Sequence, residues 1–156
     1  MHENAFVELI HNICEKDRRY AVDAYMFVRQ ALDVTVKMLD KPQEGPGRHV
    51  SGRELLEGIR LYALQEFGPM TNTVLKSWGV RKTADFGEIV FNLVDNGVLG
   101  KTEKDSRNDF GDSYGFYEAF VAPFLPESEK QSPAPARSGT GGKKRNRSAG
   151  GEQGLG

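Results

Sequence analysis

The sequence predicts a mainly α-helical fold: a small helical domain over residues 3–126 with a winged-helix-like second half, then a disordered basic C-terminal tail over residues 127–156. Three observations predict it. Apolar residues recur at i, i+3, i+4 and i+7 through most of the first 126 positions. Gly, Pro and Ser punctuate that pattern where helices start and stop. Finally, only Ala134, Ala136, Ala149 and Leu155 are apolar beyond Pro126, too few to offset the entropy of ordering that stretch.

Taken in order, Phe6, Leu9, Ile10 and Ile13 share one face of a first helix over residues 3–16, broken at Arg18-Arg19-Tyr20-Ala21. Asp23 is placed to cap a second helix, whose stripe is Tyr25, Val28, Ala31, Leu32, Thr35, Val36 and Leu39. Residues 41–50 hold two Pro and two Gly and form a loop. Ser51 and Glu54 fit a capping box, opening a third helix that Gly68 ends. Pro69 suits the first turn of a fourth helix running to Trp78, and Gly79 stops it. Thr83 is the expected cap of a fifth helix with Phe86, Ile89, Val90, Leu93 and Val94 inward, ending at Gly97. Val98-Leu99 begins an extended segment, and Tyr114, Phe116, Tyr117, Phe120 and Phe124 form an aromatic closing segment. From Ser51 onward the order is helix, short helix, tight turn, helix, strand. That is the layout of a winged helix, with Lys101–Ser113 in the wing position.

Charge divides along the chain. Residues 1–126 carry 15 Lys/Arg against 19 Asp/Glu, while residues 127–156 carry 6 against 3. A mildly acidic domain argues against nucleic-acid binding on charge alone. The fifth helix is expected to face outward with Asp85, Glu88, Asn92 and Asp95, and carboxylates aimed at a polyanion oppose groove reading. No apolar stretch approaches the roughly 20 residues of a membrane span. Cys14 is the single cysteine, which rules out a disulfide scaffold. With no basic and then apolar leader at Met1-His2-Glu3-Asn4, a cytoplasmic location is expected.

Several constellations carry candidate chemistry. His11, Cys14 and Glu15 share a helix face but lack the further ligands a metal site needs, so no metal is expected. Asp105, Asn108, Asp109 and Asp112 have a calcium-loop composition in no calcium-loop register. Arg48, His49, Ser51 and Arg53 surround a helix N-terminus, whose free N–H groups attract anions. The competing reading is a capped helix start with its Arg residues paired to Glu54 or Glu57. No Ser or Cys lies in a nucleophile motif and no nucleotide-cofactor fingerprint is present, so neither catalysis nor a cofactor is expected. Phe91 lies off the apolar stripe. With Asp85, Glu88 and Asp95 it forms a candidate partner interface if exposed, and core if the aromatic closing segment covers it. Arg81 and Lys82 in the tight turn, with Lys143, Lys144, Arg145 and Arg147 in the tail, are the candidate phosphate contacts.

Residues 20–126 also resemble an uncharacterised bacterial family, the Minf-type hypothetical proteins. The resemblance lies in Arg48-His49-Val50-Ser51-Gly52, Glu54 to Arg60, Phe67-Gly68-Pro69-Met70, Trp78-Gly79-Val80, Thr83, Asp85 to Asn92, and Lys101-Thr102-Glu103 with Asp105-Ser106-Arg107 and Asp109-Phe110. It implies no activity, cofactor or site residue. The function expected is therefore a small cytoplasmic non-enzymatic binding or adaptor protein, with another protein as its partner and no membrane. The alternatives are a nucleic-acid-associated protein using the tail with Arg81 and Lys82, and an anion- or small-ligand-binding protein or small enzyme at Arg48–Arg53.

Overall fold

A computed structural model describes residues 3–42, 47, 49–100 and 105–129. Apolar residues at helical spacing give five α-helices there: α1 (Glu3–Lys16), α2 (Val22–Met38), α3 (Gly52–Phe67), α4 (Thr71–Ser77) and α5 (Thr83–Asp95). The described residues contain no strand. The core draws Phe6, Ile10 and Ile13 from α1, Tyr25 and Val28 from α2, Leu56 and Ile59 from α3, and Phe86, Ile89 and Leu93 from α5. Thr35 meets Gly58, while Phe27 meets Tyr62 and Phe67. Those pairings make α2 and α3 antiparallel. A Cβ at Gly58 would collide with the Thr35 hydroxyl, so the missing side chain is what lets the two helices close up.

Local chemistry sets most helix ends. Ser51 Oγ accepts from the Glu54 N–H at 3.1 Å while Glu54 Oε1 accepts from the Ser51 N–H at 2.9 Å, the reciprocal box the sequence predicts. Gly79 and Gly97, at φ +89° and +75°, end α4 and α5. Behind each, the next N–H reaches back to close the helix, Val80 to the Leu75 carbonyl and Val98 to the Leu93 carbonyl. The end of α2 uses the same closure with Asp40 at φ +54°: Asp40 N–H donates to Lys37 O and Lys41 N–H to Val36 O. An aspartate in that left-handed position is strained where glycine is not. Asp40→Gly should therefore stabilise the protein by about 0.5–1 kcal/mol in a urea melt. A loss of stability would mean that the Asp40 side chain itself holds the turn.

Three local expectations are corrected. The N-cap of α2 is Ala21, with no side-chain cap bond. Asp23 lies inside the first turn, because the Ala21 N–H is taken by the Trp78 carbonyl at 3.1 Å and that long-range bond fixes where the helix starts. Thr83 is buried inside α5, its hydroxyl accepting from the Ser113 N–H. Lys82 precedes the helix, and Asp85 Oδ2 accepts from the N–H groups of Arg81 and Lys82. Val98 and Leu99 do not begin a strand: the N–H of each points back to the Leu93 carbonyl, so both belong to the closure of α5.

In the wing position, residues 101–104 lie outside the described residues, and Arg107–Phe110 is a 3-10 turn capped by Ser106. Its Phe110 ring wedges against Gly52 of α3 and Gly87 of α5, where any Cβ would clash with it. The aromatic closing segment winds through a π-helical turn at Tyr117–Val121. It buries Phe116 and Phe120, and Tyr114 Oη donates to the Leu56 carbonyl at 2.9 Å. Phe124 stays 43% exposed. The chain divides after Phe124. In the second unit the described residues hold one 3-10 turn, Glu127–Glu129. Among the described residues no helix is long and apolar enough to cross a membrane.

Candidate nucleic-acid interface

Two turns far apart in sequence meet at one end of the helical unit. The first, Asp17–Tyr20, joins α1 to α2; the second, Trp78–Lys82, joins α4 to α5. They meet through the Ala21–Trp78 hydrogen bond and through Gly79, whose missing Cβ leaves room for the Arg19 carbonyl. Tyr20, buried, donates its phenol proton to Asp85 Oδ1 at 2.6 Å. Burial, and then the carboxylate, push the Tyr20 phenol well above its ordinary range.

This junction consumes the carboxylates around it. Arg19 donates to Asp17 through both Nε and Nη2, at 2.9 and 2.6 Å. That fork holds the Asp17 carboxyl well below the usual carboxylate range. Asn92 Nδ2 donates to Asp17 Oδ2 at 3.0 Å and to Tyr25 Oη at 2.9 Å. Glu88 lies 3.2 Å from Arg19 Nη2 and 3.4 Å from Arg107 Nε. Hence the polar face of α5, expected to look outward, rests on the first turn. Asp85, Glu88 and Asn92 are all engaged within the molecule, and only Asp95 of that group is exposed.

Phe91 is 5% exposed, so it is core and not an exposed partner anchor. Its cover differs from the one the sequence suggested. Phe110 of the 3-10 turn meets its ring edge-on at 6.4 Å, and the Arg107 guanidinium lies 4.8 Å from the ring centroid.

The cations have the opposite fate. Arg18 on the first turn, Arg81 and Lys82 on the second, and Lys76 at the end of α4 are all exposed. Among the described residues none of the four forms an ion pair. The sequence singles out Arg81 and Lys82 as candidates for phosphate contact; Arg18 and Lys76 it does not. Arg18 comes to this end through the contact between the two turns, which no local pattern encodes, whereas Lys76 lies in the same stretch as Arg81. Lys143, Lys144, Arg145 and Arg147 lie outside the described residues.

Directly behind the second turn stands an aromatic cluster. Phe27, buried, is ringed by Tyr62 at 5.3 Å, Trp78 at 5.5 Å and Phe67 at 5.7 Å, and Phe67 meets Trp78 edge-on at 5.7 Å. Tyr62, Phe67 and Trp78 each keep part of their surface in solvent.

The other candidates do not assemble. Arg48 lies outside the described residues. His49 Nε2 faces Asp105 Oδ1 at 3.2 Å. The Ser51 hydroxyl is committed to its cap, and Arg53 points into solvent. With Glu54 on the Ser51 N–H and Lys41 Nζ 3.6 Å from Glu54, the start of α3 already holds its own anion. Hydrogen bonding from Ser51 lowers the Glu54 pKa accordingly. Among the described residues Lys41 pairs with Glu54 and Arg60 with Glu57. His11 and Glu15 are exposed, and the Cys14 thiol donates to the Tyr20 carbonyl. Among the described residues no group of three or more His, Cys, Asp or Glu is arranged to hold a metal ion.

No protein-family model, curated protein or solved structure matches this chain.

Proposed function

We propose that the protein is a small, non-enzymatic binding protein of the cytoplasm whose partner is nucleic acid, held through its phosphates on the ridge formed by Arg18, Lys76, Arg81 and Lys82. One observation carries this reading: two basic turns are locked together while the nearby carboxylates Asp17, Asp85 and Glu88 are spent on internal partners. A net-acidic domain is no obstacle. Screening limits the reach of exposed charge to roughly 8–10 Å at physiological salt, so the local sign decides what docks. The expected protein partner loses its proposed anchor with the burial of Phe91 and its acidic rim with the docking of α5. The tail cations Lys143, Lys144, Arg145 and Arg147 would add phosphate contacts of the same kind.

The order α3, α4, tight turn, α5 is compatible with a winged-helix-like unit, and likeness to the Minf-type proteins is part of the same proposal. The use suggested here is different from groove reading. Cations come from the turn before α5 and from a second turn outside the unit, while α5 itself stays packed.

The test is a charge reversal in the full chain, Arg18→Glu with Arg81→Glu and Lys82→Glu. None of the three side chains is buried or ion-paired among the described residues, so the folding free energy should hold within the range of neutral surface changes, about 0.5 kcal/mol. Affinity for a mixed-sequence oligonucleotide at low salt should fall about tenfold or more. Unchanged affinity would overturn the ridge as the binding surface.

A further inference from the structure

We infer that the nucleic acid held on the ridge is single-stranded, and that its bases stack on Trp78 and Phe67. This rests on the ridge reading and names the class of ligand it takes. Proteins that bind single strands pair a cationic track for the backbone with aromatic faces that accept any base. Both parts are present here and adjoin. Trp78 lies between Lys76 and Arg81 in sequence, and its carbonyl accepts the Ala21 hydrogen bond that joins the two turns. A strand whose phosphates follow Arg18, Arg81 and Lys82 passes the Trp78 backbone, and its bases then reach the part of that ring left in solvent.

The ring is also held for that use. Phe27 and Phe67 support it from within at 5.5 and 5.7 Å, which fixes its orientation while leaving part of it in solvent. A preorganised aromatic loses little freedom when a base stacks on it. Phe67, also partly exposed, meets Trp78 edge-on and continues the aromatic surface. The neighbouring Glu66 is exposed and repels a phosphate there. A duplex gains nothing from these rings, because its bases are already stacked. Nor is α5 free to enter a groove, with Asp85, Glu88 and Asn92 bound to the first turn.

The chain has a single tryptophan, so its fluorescence reports on Trp78 alone. The full-length protein is titrated with an oligothymidylate of about 12 nucleotides and with a mixed-sequence duplex of the same length, both within the usual site-size range. The single strand should quench the emission and bind about tenfold tighter than the duplex, with both effects reversed by salt. Trp78→Leu should weaken single-strand binding about tenfold while duplex binding stays where it was. Because that variant also touches the Phe27 cluster, wild-type quenching and the single-strand to duplex ratio are the fold-independent readouts. Equal or tighter duplex binding, or single-strand binding without quenching, would overturn the single-strand inference and leave the ridge standing. Binding of neither ligand would overturn both.

Discussion

Gly79→Ala should destabilise the protein by about 2–4 kcal/mol. Two penalties combine. At φ +89° an L-residue is strained whatever its surroundings. The new Cβ would also run into the Arg19 carbonyl, which is backbone and has no rotamer to move away. Relief would require the α1–α2 turn to retreat, breaking the bond between the Ala21 N–H and the Trp78 carbonyl. Gly97→Ala is the control. Its φ of +75° brings the same backbone strain, but nothing lies within 4 Å of the new Cβ. That change should cost only about 1 kcal/mol. Chemical denaturation of both variants separates strain from collision: equal losses would mean that the two turns are not in close contact. The folded fraction of Gly79→Ala should also bind oligonucleotide more weakly, since the turn carrying Arg18 would be pushed away from the turn carrying Arg81.

Phe91→Ala should cost about 3–5 kcal/mol of folding stability. The ring is 5% exposed, and its removal takes away the edge-on partner of Phe110 and the surface beneath the Arg107 guanidinium. Phe110 also fills the space at Gly52 and Gly87, so the cavity would open at the junction of α3, α5 and the 3-10 turn. Phe91→Leu keeps most of the volume and should cost less than about 1.5 kcal/mol. A change below 1 kcal/mol for the alanine variant, together with unaltered unfolding cooperativity, would return Phe91 to the surface as a candidate partner anchor.

The sequence makes legible those features whose cause lies within a few residues. The span of α1 follows from Phe6, Ile10 and Ile13; the start of α3 follows from Ser51 and Glu54; the ends at Gly68, Gly79 and Gly97 follow from chain reversal. Where a distant partner decides, local reading misplaces the feature. Asp23 and Thr83 have the chemistry of caps, yet the Trp78 carbonyl fixes the start of α2, and Asp85 takes the N–H groups ahead of α5. Phe91 breaks the apolar stripe of its own helix because the residue covering it, Phe110, comes from another segment. The candidate site divides the same way. Arg81 and Lys82 can be picked from a turn by composition. That the turn carrying Arg18 meets theirs, and that Asp85 and Glu88 are engaged by Tyr20 and Arg19, depends on two turns separated by some sixty residues.

The most direct test of the ridge is the salt dependence of oligonucleotide affinity in three full-length proteins. These are the wild type, a ridge variant (Arg18→Gln, Arg81→Gln and Lys82→Gln), and a tail variant with Lys143, Lys144, Arg145 and Arg147 changed to Gln. Each phosphate contact to a single strand contributes about 0.7 to the slope of log affinity against log salt. Losing three ridge contacts should flatten that slope by about 2, with weaker binding at low salt. The tail variant should retain the ridge-dependent part and still lose affinity when the ridge changes are added. If the ridge variant instead keeps the wild-type slope and the tail variant abolishes binding, the two turns are a structural junction and not a binding surface.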